Sequence, residues 1–295
     1  CIRDSVSGDH YTISEAWLDR VQEVLDYAVD DDMYVILNIH HDTDKEYCYP
    51  DKEHLEQSLS YMTFIWEQLA DRFGDYDEHV IFESINEPRL VETDHEWWLD
   101  MNAAECVEAV ECINEWNQNF VDVVRKTGGN NATRYLMVPG YDASADGVLN
   151  DKFVLPTDTA ENEGKILVSV HAYIPYHFAL QAATENESID QFNASEKTST
   201  NDIDQMMEKL YAKYISNEIP VVIGEFGARD KNGNLQSRVD YAAYYIAAAR
   251  AYGMSCNWWD NNAFTGDGEL FGQLDRKTVT WRYPKIVDAL MKYAE

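Results

Sequence analysis

Short apolar runs alternate with longer segments of helical periodicity along most of the chain. Residues 14–30 place Trp17, Val21 and Leu25 at helical spacing, and an apolar run follows them at 34–39. The same alternation continues to the carboxyl terminus. It predicts strands at 34–39, 80–85, 134–138, 166–170, 221–224 and 254–259, and helices at 14–30, 55–73, 103–126, 203–215, 235–252 and 281–293.

Strands that alternate with helices are typical of an α/β fold with a parallel sheet, because each crossover needs a helix to return the chain. We therefore predict a single (β/α)8 TIM-barrel domain over residues 1–295. The helix at 14–30 needs a strand before it. We expect the barrel to be N-terminally incomplete, without its first two strands, and residues 1–12 to be an irregular remnant of the preceding loop.

Acidic residues far outnumber basic ones, with 54 Asp and Glu against 23 Lys and Arg and a formal net charge of −31. Such a charge repels nucleic-acid phosphates and anionic membrane surfaces. No apolar run approaches the roughly 20 residues that cross a bilayer. We therefore expect neither nucleic acid nor a membrane as a partner, whereas a neutral polymer would not be repelled.

The five cysteines are too few for a disulfide scaffold in a chain of this length. Cys106 and Cys112 fall in one predicted helix, where six residues separate their Cα atoms by about 9 Å along the axis. A disulfide cannot span that distance. Both thiols are predicted to lie in the core.

Two glutamates come at the ends of predicted strands. Glu87 lies in the tripeptide Asn86-Glu87-Pro88, and Glu225 follows the apolar run 219–224. In a barrel the carboxyl ends of the strands gather at one face, so the two acids can face one pocket. Retaining glycoside hydrolysis needs two carboxyl groups roughly 5–5.5 Å apart, one to protonate the leaving oxygen and one to attack the anomeric carbon. A lone glutamate in such a place also fits a solvated loop residue, so the prediction rests on the pair.

A histidine pair follows the strand at 34–39, in the segment His40-His41-Asp42. Such a cluster fits a metal site as well as a sugar-binding site. Adjacent histidines on a strand point in opposite directions, and zinc needs further ligands from other elements. The interpretation we favour is hydrogen bonding to sugar hydroxyls, and we expect no metal or organic cofactor.

Aromatic residues mark the ends of two later strands. Strand alternation puts His171 and Tyr173 on the same side, where the tyrosine hydroxyl can donate to a nucleophilic carboxylate. Trp258 and Trp259 are adjacent and must point apart, one toward a sugar and one into packing. Core packing is an open alternative for both pairs. Further aromatics in predicted loops could extend a cleft along a polysaccharide: Trp97, Trp98, Tyr176, Phe178 and Phe264.

Taken together, these motifs resemble glycoside hydrolase family 5. The resemblance covers nearly the whole chain. Segments 36–42 and 168–176 are similar to its bacterial endo-β-1,4-glucanase (cellulase) group, subfamily 4. The motifs that carry the resemblance are His40, Asn86-Glu87-Pro88, His171-x-Tyr173, Ile223-Gly224-Glu225-Phe226-Gly227 and Trp258-Trp259-Asp260-Asn261.

The resemblance implies a role for each matched residue. Glu87 would be the acid/base and Glu225 the nucleophile, with Tyr173 bonded to Glu225 and Asn86 bonded to the sugar 2-hydroxyl. The family also carries an arginine near the end of its second strand, and Arg3 is not a convincing substitute. The other substrate-binding candidates are His40, His41, His171, Trp258 and Trp259.

The implied function is that of a secreted, retaining endo-β-1,4-glucanase that hydrolyses cellulose-like glucans through a covalent glycosyl-enzyme. The implied partner is a β-1,4-linked glucan, and the complete protein would be a monomer. An endo-xyloglucanase or mixed-linkage β-glucanase of the same family is the nearest alternative, and a mannanase is more distant. A non-catalytic glucan-binding remnant is an alternative from another class, because of the expected truncation.

Overall fold

The chain divides into two compact units, Cys1–Ser169 and Val170–Glu295. The computed structural model describes residues 6–7, 11–266 and 268–294. Arg3 lies outside the described residues. The single domain over residues 1–295 stays a prediction.

The first unit begins with an antiparallel pair of two-residue strands, where the sequence predicted an irregular loop. The next four strands are parallel and adjacent in chain order. Helices connect them. In order, the elements are β1 (Val6–Ser7), β2 (Thr12–Ile13), α1 (Glu15–Asp30), β3 (Val35–Asn38), α2 (Leu55–Arg72), β4 (Val80–Glu83), α3 (Ala104–Lys126), β5 (Leu136–Pro139), α4 (Ala145–Leu149) and β6 (Ile166–His171), which runs past the unit boundary.

Two long helices, α2 and α3, supply a large part of the apolar core of this unit. Their buried residues recur at helical spacing, as Ile65 and Leu69 do on α2. The Trp66 ring packs against the rings of Phe82 on β4 and Phe120 on α3, with distances between ring centroids of 5.4 and 4.6 Å. These contacts fix both helices against the strand that leads to Glu87.

The thiols of this core lie where the sequence predicted them. Cys106 and Cys112 are buried on α3 and unbridged, and Cys48 is buried in the loop after β3. Burial raises the pKa of the Cys112 thiol to about 12 and the pKa of Cys106 above its usual value. The prediction that Cys106 and Cys112 lie in the core is confirmed.

The second unit contains the end of β6, two further parallel strands, a short antiparallel strand pair and the helices between and after them. The two parallel strands after β6 pair with each other, with a shift in register between Ile223 and Phe226. The Ala172 N–H, just after β6, donates to the Glu225 carbonyl at 2.9 Å. The elements are α5 (Tyr176–Ala179), α6 (Lys197–Lys213), β7 (Val221–Phe226), α7 (Leu235–Ala251), β8 (Ser255–Trp258), the antiparallel pair β9 (Leu274–Asp275) and β10 (Thr280–Trp281), and α8 (Pro284–Ala294).

Two predicted helix starts are wrong. α6 begins six residues before the predicted Ile203, because its first turns are polar and carry no apolar periodicity. α8 begins at Pro284, a residue suited to the first turn of a helix, whereas Trp281 lies in β10 and is half exposed. Among the described residues, no helix has the length and apolar character to span a membrane.

Candidate active site

A buried polar network lies at the carboxyl ends of the strands in the first unit. The Asn38 amide donates to Glu83 Oε2 at 2.8 Å and to Asn86 Oδ1 at 3.4 Å. The Ser169 hydroxyl donates to the other Glu83 oxygen at 2.5 Å. The Asn86 N–H donates to the Ile39 carbonyl at 2.9 Å. Asn86 is therefore held by both its main chain and its side chain.

Glu87 follows on a turn that its neighbours restrain. Its carbonyl accepts hydrogen bonds from Arg89 Nη1 at 2.9 Å and Thr43 Oγ1 at 3.3 Å. The Pro88 carbonyl accepts from the Asp142 N–H at 2.7 Å. The Glu87 side chain keeps 18% of its surface exposed, so its carboxyl group is mostly buried and still open to a ligand.

Sequence reasoning missed three polar residues that support this turn. Glu83 and Ser169 belong to the buried network, and Arg89 lies 3.7 Å from Glu87 Oε2. A signal for Glu83 was present, because a charged residue inside the apolar run 80–85 needs buried partners. Arg89 follows the Asn86-Glu87-Pro88 motif directly, which was the available signal for its role.

The two histidines after β3 do not point apart as predicted. The ring centroids of His40 and His41 lie 4.4 Å apart in an edge-to-face contact. β3 ends at Asn38, so the alternation of a strand no longer applies to them. Asp42 is buried and accepts a hydrogen bond from the Tyr61 hydroxyl at 2.8 Å, which anchors the loop to α2.

In the second unit, Glu225 lies within β7 rather than just after it, and two predicted partners reach it. The Tyr173 hydroxyl donates to Glu225 Oε2 at 2.6 Å, as the family resemblance implied. His171 Nδ1 lies 3.7 Å from the other carboxylate oxygen. The side chains of His171 and Glu225 are only 4% and 12% exposed. This carboxylate is thus held in one orientation at the end of a strand.

The adjacent tryptophans have different surroundings. Trp258 packs against the core between α7 and α8 and meets the rings of Phe226 and Tyr241 edge-to-face at 5.3 and 6.3 Å. The Trp259 N–H donates to the Phe226 carbonyl at 2.8 Å, and its side chain is partly exposed. The prediction that one of the pair packs in the core is confirmed for Trp258.

We expect Trp259→Ala to cost about 1–3 kcal/mol of transition-state stabilisation if its indole stacks on the reacting sugar, by analogy with other aromatic contacts. Trp258→Ala should mainly lower the melting temperature, because it leaves a cavity beside α7 and α8. Steady-state kinetics and thermal unfolding of both variants test this assignment. A lower melting temperature with intact kinetics for Trp259→Ala would reverse it.

The carboxylate of Asp260 organises the loop that follows Trp259. It accepts main-chain hydrogen bonds from Asn262, Gln273 and Leu274 at 2.9 to 3.1 Å. The loop is therefore tied to β9. Asp260 in this motif is a structural residue that fixes the chain beside Trp259.

The aromatics predicted to lie in loops fall into two groups. Trp97 and Trp98 are 53% and 67% exposed, and Tyr176 is also exposed. The prediction that Phe178 could extend a cleft is wrong. Phe178 is buried on α5, with its ring centroid 5.5 Å from that of Phe192. Phe264 is partly buried, with its ring 6.4 Å from that of Tyr283. The roles predicted for the exposed aromatics stay predictions.

A family model described as cellulase (glycosyl hydrolase family 5) matches residues 2–265. Endoglucanase B of Ruminococcus albus is 42% identical over 287 residues, which cover 97% of this chain and 65% of that protein. Endoglucanase 1 of the same organism is 40% identical with the same coverage. The chain thus spans about two thirds of the length of these curated relatives.

Solved structures are similar over the whole chain. A glycoside hydrolase 5 lichenase from Caldicellulosiruptor sp. F32, solved as a mutant with cellotetraose, is 58% identical with a TM-score of 0.98, and the match covers 100% of this chain and 78% of that one. This likeness confirms the predicted α/β TIM-barrel fold class. The chain belongs to the cellulase family, glycosyl hydrolase family 5.

Proposed function

We propose that this protein is a retaining endo-β-1,4-glucanase that hydrolyses internal bonds of cellulose-like β-glucans. The observation that carries the proposal is the hydrogen bond of 2.6 Å from Tyr173 to the mostly buried carboxylate of Glu225. A nucleophile must present one oxygen to the anomeric carbon, and this contact restricts the carboxylate to one orientation. Membership of the family supports the same assignment.

The reaction proceeds in two displacements. In the first, a Glu225 oxygen attacks the anomeric carbon while Glu87 gives its proton to the glycosidic oxygen, so the bond between the sugars breaks and a glycosyl-enzyme forms. In the second, Glu87 takes a proton from water as that water attacks the same carbon, and Glu225 leaves. Two inversions retain the β configuration. Asn86 binds the 2-hydroxyl of the attacked sugar, and the proposed residues of its subsite are His40, His41, His171 and Trp259.

The substrate we propose is a soluble or amorphous β-1,4-linked glucan. The cellotetraose in the Caldicellulosiruptor structure supports this class of ligand, and the description of that enzyme as a lichenase favours mixed-linkage β-glucan as a second candidate. A polysaccharide does not cross a cell membrane, so we also propose that the protein acts outside the cell. A monomer suffices for the chemistry proposed.

The test is hydrolysis of carboxymethyl cellulose, mixed-linkage β-glucan and xyloglucan, followed by reducing ends and viscosity. An endo-acting enzyme lowers viscosity early, before many reducing ends appear. Proton NMR of the first product identifies its anomer, which should be β. An initial α product contradicts the mechanism, and saturable glucan binding without release of reducing ends favours the non-catalytic alternative.

A further inference from the structure

Arg89 contacts both ends of the proposed acid/base residue. Its Nη1 donates to the Glu87 carbonyl at 2.9 Å and lies 3.7 Å from Glu87 Oε2. The same guanidinium thereby restrains the main chain of Glu87 and attracts its side chain. The contact to the carbonyl fixes the main chain from which the side chain extends, and the contact to the carboxylate limits the χ angles.

The guanidinium is itself held in place from the loop that follows. Its Nε lies 3.4 Å from Glu96 Oε1, and its central carbon lies 3.9 Å from the centre of the Trp97 ring. A planar cation that stacks on indole while it pairs with carboxylates uses the geometry that distinguishes arginine from lysine. Arg89 is therefore a rigid link between Glu87 and the exposed Trp97.

We propose that Arg89 is a positioning residue for Glu87, which directs its carboxyl group at the leaving oxygen, and that Trp97 supports it. This inference rests on the proposed function of Glu87. Proton transfer in the transition state requires hydrogen-bond reach and alignment, and a displacement of about 1 Å can cost about 100-fold in rate. Within the first displacement, Arg89 acts on proton transfer to the leaving oxygen and not on the position of the attacking carboxylate.

The experiment compares Arg89→Met with the parent protein on a series of aryl β-cellobiosides. The parameter is kcat/KM, which reports formation of the glycosyl-enzyme. A 2,4-dinitrophenyl leaving group departs without a proton, whereas a phenyl group needs one. We expect kcat/KM to fall about 10- to 100-fold for phenyl cellobioside and to stay within about twofold for the dinitrophenyl substrate. The dependence of log kcat/KM on the pKa of the leaving group therefore becomes steeper.

Arg125→Met is the matched control. Arg125 lies in the same unit, pairs with Asp158 at 2.8 Å and donates to the Asn131 carbonyl at 2.7 Å. Its removal should lower stability and leave the leaving-group dependence unchanged. Arg89→Lys keeps the charge without the planar fork, so we expect it to recover only part of the loss. Trp97→Ala should steepen the dependence in the same direction by less.

Equal loss on both aryl substrates in Arg89→Met would overturn the proposal, because a reduced fraction of active protein affects all substrates alike. Full recovery in Arg89→Lys would show that charge alone suffices and would overturn positioning by the fork. An unchanged dependence in Trp97→Ala would remove Trp97 from the link. If the parent protein cleaves none of these substrates, the proposed function fails instead.

Discussion

Glu225→Ala should reduce the rate of β-glucan hydrolysis on the order of 10⁴-fold or more, as removal of a nucleophile does in other covalent enzymes. Without this carboxylate no glycosyl-enzyme can form. The hydroxyl of Tyr173, which donates to Glu225 at 2.6 Å, would lose its acceptor. Initial rates on mixed-linkage β-glucan and thermal unfolding, measured on the same preparation, separate lost chemistry from lost folding.

Azide distinguishes the nucleophile from other essential residues. In Glu225→Ala, azide can enter the space of the missing side chain and attack the anomeric carbon of an activated β-glycoside directly. One inversion gives an α-glycosyl azide. Glu208→Ala, which removes an exposed carboxylate from α6 in the same unit, is the control and should retain full activity without azide.

Glu87→Ala should lose about 10²- to 10⁴-fold on substrates with poor leaving groups, the usual contribution of a general acid/base. Its rate on a dinitrophenyl glycoside should fall less in the first step, because that leaving group needs no proton. Azide needs no general base either, so it should accelerate turnover of the accumulated glycosyl-enzyme. Two inversions then give a β-glycosyl azide, measured by NMR.

The two variants therefore predict azide products of opposite configuration. Products of the same configuration from both would mean that the roles of Glu87 and Glu225 are assigned wrongly. Glu115→Ala removes an exposed carboxylate from α3 in the same unit as Glu87. Glu115→Ala should show neither the loss of activity nor the effect of azide. This control shows that the effects come from Glu87 and not from removal of any acidic surface residue.

The strands could be predicted because they are buried. β4 and β5 have all their residues buried, so each appears in the sequence as an apolar run, which in β4 ends at the charged residue Glu83. Helix ends were harder, because polar first turns such as that of α6 carry no periodic signal. The orientation of His40 and His41 was predicted wrongly for a related reason: a periodicity holds only while its strand continues, and β3 ends at Asn38.

Short sequence motifs were sufficient to locate the candidate site. The hydrogen bonds that complete it join residues that are far apart in the sequence. Glu87 and Glu225 each follow an apolar run and lie in short recognisable motifs. Glu83 bonds to Asn38 and Ser169, which are 45 and 86 positions away. No local pattern specifies such partners, because they are chosen by the register of neighbouring strands.

Four cysteine thiols can report how often the structure around each of them opens locally. Burial raises the pKa of the Cys48, Cys106 and Cys112 thiols in the first unit and of Cys256 in the second. Because only an exposed thiolate reacts with an alkylating reagent, each labelling rate reports how often its surroundings open. With Cys1 replaced by serine, mass spectrometry of labelled peptides would give the opening rate of each unit separately. The same labelling with a bound glucan would show which unit the glucan stabilises.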